Sequence, residues 1–308
     1  MKAVEISQYG GSEVLEVVEV DAPVPGDSQV LIAVKAASIN PIDWKIRNGM
    51  LGDKLPMPIR MGTDLSGMVT AVGSGVTAFK VGDEVYGSAL VLSGGSGAFA
   101  EQAVTNSSSL ALKPTSVSFV EAAALPLAGV SALQALTEHI QLQAGQKILI
   151  TGGAGGIGSL AIGLAKSLGA TVAATVRSTD DATYVKTRGA DVVVNVRVQS
   201  LRDLVKDYDA VFDTVGGDAY KETFASVKRG ATIVSMTGKD DELAAKHAVT
   251  AIAQQTGTNT DRLTRLAAWI DAESVKPTIT IFPFDQIRKA FDAVQQGSIQ
   301  GKAILQIG

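Results

Sequence analysis

The stretch that most constrains the fold lies near the middle of the chain: "KILITGGAGGIGSLAIGLAKSLGATVAATVRS", which begins at Lys147. An apolar run, a glycine cluster, a segment of helical period and a second apolar run follow in that order, the pattern of a βαβ unit. Gly153, Gly155 and Gly158 stand at G-x-G-x-x-G spacing between the strand and the helix. Glycines there allow a tight turn, close approach of backbone to a pyrophosphate, and close packing of helix on strand. The helix N-terminus adds free N–H groups and positive potential. The spacing alone matches many glycine-rich turns; in a βαβ context it predicts a dinucleotide cradle at Gly153, Gly155, Gly156, Ile157 and Gly158. A glycine turn without a ligand ranks below that reading.

The end of the second strand bears on which dinucleotide. An NAD site places Asp or Glu there to hold the ribose 2′-hydroxyl. This chain has Arg177, Ser178 and Thr179 instead. An arginine with two hydroxyls suits a 2′-phosphate, so NADP(H) is expected. Asp180 and Asp181 are expected to open the next helix, where acids suit the dipole.

From Lys147 onward strand and helix alternate ("KILIT", "GSLAIGLAKSLG", "ATVAATV", "DATYVKTRG", "DVVVN", "AVFDTV", "ATIVSM"), which predicts a doubly wound parallel sheet. Before about residue 110 the pattern is all-β, with runs such as "QVLIAVKAA" and "LSGMVTAVG" between Gly, Pro, Asn and Asp, and one helical turn at "PIDWKIRNG". "SFVEAAALPLAGVSALQALTEH" reads as helix, with Ser118 as N-cap and Glu121 three residues on. The tail from about Pro277 returns to β pattern. The expected architecture is α/β: a β-barrel domain over 1–118 and 277–308, and a Rossmann domain over 119–276.

Composition narrows the chemistry. The chain of 308 residues has a net charge of −4, so it offers no general basic field for nucleic acid or anionic membrane. It has no cysteine and only two histidines, His139 and His247, both read as structural or solvated. The N-terminus alternates like a strand and lacks the apolar core of a secretion signal, and "AAALPLAGVSALQAL" is too short and interrupted to span a bilayer. A cytoplasmic protein is expected.

"TGGAGGIG" also resembles the short-chain dehydrogenases, but none of the five tyrosines has the lysine four residues later that those enzymes use. The chain instead resembles the medium-chain dehydrogenase/reductase superfamily, in its zinc-free quinone oxidoreductase and enone reductase branch. The resembling segments are "AASINPIDWKIRNG", "GTDLSGMVTAVGSGVTAFKVGDEVYG", "GAFAEQAVT", "AAALPLAGVSALQAL", "GGAGGIGSLAIGLAK", "DAVFDTVGG" and "GKAILQIG", in family order over nearly the whole chain. The resemblance implies a GroES-like β domain, a Rossmann domain, and an active site between them. Zinc enzymes of the superfamily have Gly-His-Glu where this chain has Gly62, Thr63 and Asp64, and they need a cysteine ligand. No metal is expected. Without a Lewis acid, the feasible acceptors are those that stabilise negative charge by conjugation, namely quinones and α,β-unsaturated carbonyls.

The resemblance also implies site residues. Asn40 maps onto an asparagine beside the nicotinamide and substrate, and Lys45 onto a lysine that holds the nicotinamide ribose and could relay a proton. Ser131 maps onto a Thr or Ser near the cofactor. Val215, Gly216, Ser235 and Gly238 end two later strands, at the edge where a dinucleotide runs. The segment 248–257 should reach the nicotinamide, although it departs from the family pattern. Asp43 is read as a turn cap or as a partner that orients Lys45, Arg47 as a surface charge, and Tyr86 as core. Two alternatives stay open: a 2-enoyl thioester reductase, whose carrier phosphate needs a basic patch such as Arg47, Lys54 and Arg60, and a non-catalytic NADPH-binding sensor or structural protein. A homodimer through "PTITIF" is possible on the sequence alone.

Overall fold

The computed structural model describes residues 1–52, 55–273 and 275–308. Lys54, one of the three cations considered for a carrier phosphate, lies outside the described residues. Two compact units divide the chain: residues 1–127 with 258–308, and residues 128–257.

The first unit opens with β1 (Lys2–Ile6), β2 (Glu16–Glu19) and β3 (Gln29–Ser38), followed by helix α1 (Pro41–Arg47). Strands β4 (Ile59–Arg60), β5 (Asp64–Val72), β6 (Glu84–Ser88), β7 (Gln102–Asn106) and β8 (Leu110–Leu112) lead into helix α2 (Phe119–Ala122). Strand β3 alternates half-buried and buried residues and lies at the centre of a seven-stranded sheet, between β16 (Lys302–Gln306) and β5, with β7 also pairing to it. A three-stranded sheet in the order β2-β1-β4 completes the β structure. One core, with Ile6, Val34, Leu65, Phe99, Phe291 and Leu305 among its members, lies beneath these strands.

The expected single helix over residues 118–139 is three pieces. Ser118 does cap α2: its hydroxyl accepts from the Glu121 N–H at 3.3 Å, and Glu121 accepts from the Ser118 N–H at 2.8 Å. The chain then breaks before Pro126, which lacks an N–H and disfavours helical geometry in the residue ahead of it. Pro126 instead starts α3 (Pro126–Leu133), and a π-helical turn follows over Gln134–His139.

The second unit is a six-stranded, all-parallel sheet. Its elements are β9 (Lys147–Ile150), α4 (Gly156–Ser167), β10 (Thr171–Val176), α5 (Thr179–Thr187), β11 (Val192–Asn195), α6 (Leu201–Leu204), β12 (Tyr208–Asp213), α7 (Gly217–Thr223), β13 (Val227–Ser235), α8 (Asp241–His247) and β14 (Thr250–Ala253). The strand order is β11-β10-β9-β12-β13-β14. Order reverses between β9 and β12, and such a reversal opens the crevice in which doubly wound sheets bind dinucleotides.

The remaining elements, α9 (Thr260–Glu273), β15 (Ile279–Pro283), α10 (Ile287–Gln295) and β16, belong to the first unit. Its limits differ from those read in the sequence, since residues 119–127 and 258–276 pack with the β sheet. Asp271 explains much of this: its carboxylate accepts from the N–H and hydroxyl of Thr115 (3.0 and 3.1 Å) and of Ser116 (2.8 and 2.6 Å). The Tyr86 hydroxyl, buried in the core as expected, donates to the Leu263 carbonyl at 2.6 Å. Helical period alone assigns no helix to a sheet; these polar ties do.

Candidate active site

At the carboxyl edge of the parallel sheet, the turn after β9 is held by β10. The Gly152 N–H donates to Thr175 Oγ1 at 3.1 Å and the Gly153 N–H to the Thr175 carbonyl at 2.9 Å. Gly155 is the N-cap of α4, with no side chain capping the helix. The first N–H groups of a helix have no partner within it, so Gly156, Ile157 and Gly158 present donors at the positive end of a dipole. Gly155 is exposed, and Gly156 and Ile157 are half-buried, which leaves the helix end open. A Cβ on Gly158 would lie 2.3 Å from the Gly152 carbonyl oxygen. The turn folds back onto the helix so closely that only glycine fits. This arrangement fits a pyrophosphate.

Arg177 and Thr179 are exposed beyond the end of β10. Ser178 is the N-cap of α5 and accepts from the Asp181 N–H at 3.0 Å, while Asp180 and Asp181 sit in the first helical turn as expected. An exposed guanidinium beside a helix N-terminus suits a phosphate monoester.

Along the same edge, Asp213 at the end of β12 is fully buried. Its carboxylate accepts from the hydroxyls of Thr151 (2.6 Å) and Ser235 (2.7 Å) and from the N–H groups of Gly216 (3.1 Å) and Val215 (3.3 Å). Val215 is exposed, Gly216 is buried at φ 80°, and Gly238 is half-buried at φ 147°. Ser235, expected beside the cofactor, is buried with its hydroxyl on Asp213. Ser131 is likewise fully buried, 2.7 Å from the Thr256 hydroxyl. The 254–257 segment is tied to the same helix. Gln254 Nε2 donates to the Ser131 carbonyl at 3.0 Å, and Gln134 both donates to the Gln255 carbonyl (3.2 Å) and accepts from the Gly257 N–H (3.2 Å).

In the β unit, Asn40 is only 1% exposed, which changes its reading. Its Oδ1 accepts from Lys302 Nζ at 2.5 Å and its Nδ2 donates to Asp64 Oδ2 at 2.9 Å, so the side-chain amide is engaged at both ends. Asn40 thus holds the start of α1 through contacts at both ends of its side-chain amide. Asp64 also accepts from the Leu127 N–H in the first turn of α3, at 3.1 Å. Asp43 closes the start of α1, accepting from the Asn40 N–H at 2.7 Å and the Thr63 hydroxyl at 2.8 Å. The turn-cap reading of Asp43 holds. Burial pushes its carboxyl up to about 7, against the pull of those two donors, and raises that of Asp64 as well. Burial also lowers Lys302, although both carboxylates oppose the shift. Nothing in "GKAILQIG" flags Lys302, because its partners are more than 200 residues away.

Lys45 is exposed on α1 and Trp44 packs half-buried against the core. The reading of Arg47 as a surface charge is overturned: it is 2% exposed, its guanidinium lies 5.2 Å from the Phe291 ring centre, and Nε donates to the Gly10 carbonyl at 3.2 Å. A long stem and a planar cation can be buried where carbonyls and an aromatic face receive them. Arg60 is engaged too, donating to Glu5 at 3.2 Å. His139 contacts Gln134, and His247 packs on Phe224.

Comparison with known proteins agrees with this architecture. Residues 26–115 match the alcohol dehydrogenase GroES-like domain and residues 188–305 the zinc-binding dehydrogenase family. The chain is 36% identical over 316 aligned positions to the Arabidopsis thaliana chloroplastic NADPH-dependent alkenal/one oxidoreductase, covering 99% of this chain and 79% of that protein. The Coxiella burnetii quinone oxidoreductase structure superposes with a TM-score of 0.91 at 33% identity, covering 100% of this chain and 99% of the other. The Escherichia coli quinone oxidoreductase, solved with NADPH, superposes at 0.90 with 26% identity over 99% and 100%. This chain belongs to the medium-chain dehydrogenase/reductase superfamily, in its quinone oxidoreductase and alkenal reductase branch, with a GroES-like domain and a Rossmann domain.

Proposed function

We propose that the protein is an NADPH-dependent oxidoreductase that delivers a hydride to a quinone or an α,β-unsaturated carbonyl without a metal ion. The observation that carries this reading is the open N-terminus of α4 beside Arg177, in a chain whose relatives are named for NADPH and for these acceptors. Gly153, Gly155, Gly156, Ile157 and Gly158 hold the pyrophosphate. Arg177, Ser178 and Thr179 receive the 2′-phosphate, and the edge formed by Val215, Gly216 and Gly238 takes the nicotinamide half. Ser131 and Ser235 support that edge from beneath. Bound NADPH supplies the hydride. Lys45 holds the nicotinamide ribose, and Asn40 fixes the helix that carries Lys45.

The metal-free reading rests on the donor set. Thr63 and Asp43 are engaged in internal contacts, Asp64 accepts from Asn40 and Leu127 through Oδ2 while its buried Oδ1 has no hydrogen-bond partner, and the nearby charge of Lys302 opposes a second cation there. The thioester alternative loses support, because Arg47 is buried and Arg60 is paired. The sensor alternative has no observation in its favour. Among the described residues, no helix is long and apolar enough to cross a membrane. The proposal extends to a cytoplasmic setting and to a homodimer through the outer edge of β15, where Ile281 is half exposed; light scattering tests the dimer.

The central test is NADPH oxidation with a panel of quinones, enones, alkenals and enoyl thioesters, before and after exhaustive chelation. Turnover with the first three classes and insensitivity to chelation are expected. In Lys45→Ala, stopped-flow hydride transfer at saturating NADPH should slow on the order of a hundredfold, as loosened reactant geometry does. A preference for NADH, or restoration of chelated enzyme by zinc, would overturn the proposal.

A further inference from the structure

We propose that Asp213 is the positioning residue for the nicotinamide half of the cofactor crevice, an inference that rests on the NADPH-binding reading above. One buried carboxylate joins the carboxyl ends of three neighbouring strands: Thr151 follows β9, Asp213 ends β12 and Ser235 ends β13. Those ends flank the reversal of strand order. The same carboxylate draws in the N–H groups of Val215 and Gly216, shaping the turn that leads to α7. Further ties surround it. The Thr214 N–H donates to Thr151 Oγ1 at 3.0 Å and the Thr214 hydroxyl donates back to the Thr151 carbonyl at 2.8 Å. The Thr237 N–H donates to Ser235 Oγ at 3.1 Å, which extends the network into the 236–238 turn.

The chemistry of the hub explains why a carboxylate stands there. Two hydroxyls and two N–H groups converge on one side chain, and only an acceptor with two oxygens and no donor receives all four. A buried donor left unmet would drive its loop to another conformation. The two turns concerned, 214–217 and 236–238, lie on the half of the sheet formed by β12 to β14. The turn after β9 shares Thr151 with the hub, but its glycines have further anchors in the Thr175 hydroxyl and carbonyl. In a doubly wound sheet each half receives one mononucleotide. Arg177 and the α4 N-terminus belong to the first half, so Asp213 governs the second.

That division gives a test that does not need turnover. Dissociation constants for NADPH and for 2′,5′-ADP, which carries only the adenosine half, are measured by calorimetry on wild type, Asp213→Asn and Asp213→Ala. In Asp213→Ala, NADPH affinity should fall about tenfold or more as buried donors lose their acceptor, while 2′,5′-ADP affinity stays within about twofold. Asp213→Asn, which keeps one acceptor oxygen, should recover part of the loss. Ser235→Ala and Thr151→Val each remove one donor to Asp213, together with the acceptor for the Thr237 or Thr214 N–H, and should give losses of the same kind, keeping the test open if the Asp213 variants fold poorly. Equal weakening of both ligands, or none, would overturn the positioning role. Failure of wild type to bind either ligand would instead overturn the NADPH reading itself.

Discussion

Replacing Asp43 by Asn should change how stability depends on pH. The carboxyl is fully buried and titrates at about 7, against 3.8 for the free group. Between those values the folded chain binds a proton that the unfolded chain does not. Stability from this group is therefore fully present below pH 3.8 and is lost as pH rises through 7. The fold tolerates the protonated form, because Asp43 can donate to Thr63 Oγ1 while still accepting from the Asn40 N–H. Asparagine reproduces that arrangement with no proton to lose: Oδ1 accepts from Asn40 and Nδ2 donates to Thr63.

The magnitude follows from linkage. From pH 5 to pH 8 the wild-type carboxyl ionises across about two pH units of penalty, worth about 3 kcal/mol at 1.36 kcal/mol per unit. Asp43→Asn should therefore gain about 3 kcal/mol on wild type between pH 5 and pH 8, whatever fixed cost the substitution carries. Urea unfolding followed by tryptophan fluorescence at pH 5, 6, 7 and 8 measures both curves. Taking the difference cancels the shared titrating groups that do not sense Asp43, and leaves its coupling to Asp64 and Lys302 within the result. Parallel curves would refute the reasoning, because they would mean that Asp43 stays ionised in the fold across this range.

Gly158→Ala should lose NADPH binding by well over tenfold: its Cβ would press on the Gly152 carbonyl oxygen at 2.3 Å, and backbone must move; unchanged affinity by titration would show that the turn can yield. In Arg177→Ala the preference for NADPH over NADH should largely disappear, since a charge-assisted contact contributes about 1.5–3 kcal/mol; paired calorimetric titrations read this. Arg47→Ala, which would be silent if the residue were a surface charge, should lower unfolding stability by about 2–4 kcal/mol through lost packing on Phe291 and an unmet Gly10 carbonyl; a midpoint within error of wild type would return it to the surface class.

The parts of this molecule that local chemistry dictates were legible. The parallel sheet follows from alternating apolar strands and helical segments, and the tight turn ahead of α4 from glycines at fixed spacing between them. The Ser118–Glu121 cap needs only residues three apart, and so does the cap that Asp43 places on α1. Arg47 was misread because its pattern is that of an exposed helical cation. Its burial depends on Phe291, which arrives on α10 some 240 residues later. The limits of the units were displaced for a similar reason, since α9 is assigned by Asp271 reaching Thr115 and Ser116.

The polar hubs were hidden for one physical reason, and that reason bears on how this fold specifies its site. A buried carboxylate or ammonium is costly unless several partners converge on it. Such convergence requires strand ends that are close in space and far apart in sequence. Lys302 meets Asn40 only because β16 pairs with β3, and Asp213 meets Thr151 and Ser235 only because β9, β12 and β13 are neighbours. In each case the hub lies where strands end and loops begin. A shift of one residue in any of those pairings would leave buried donors or charges unpaired, so the hubs penalise wrong register as well as hold the right one. The loops they fix are those proposed to carry Lys45 and the nicotinamide half of the cofactor. Register and the geometry of the proposed site thus depend on the same few buried groups. Isosteric changes at Asp213 should therefore disturb ligand geometry at least as strongly as changes at exposed residues along the carboxyl edge of the parallel sheet.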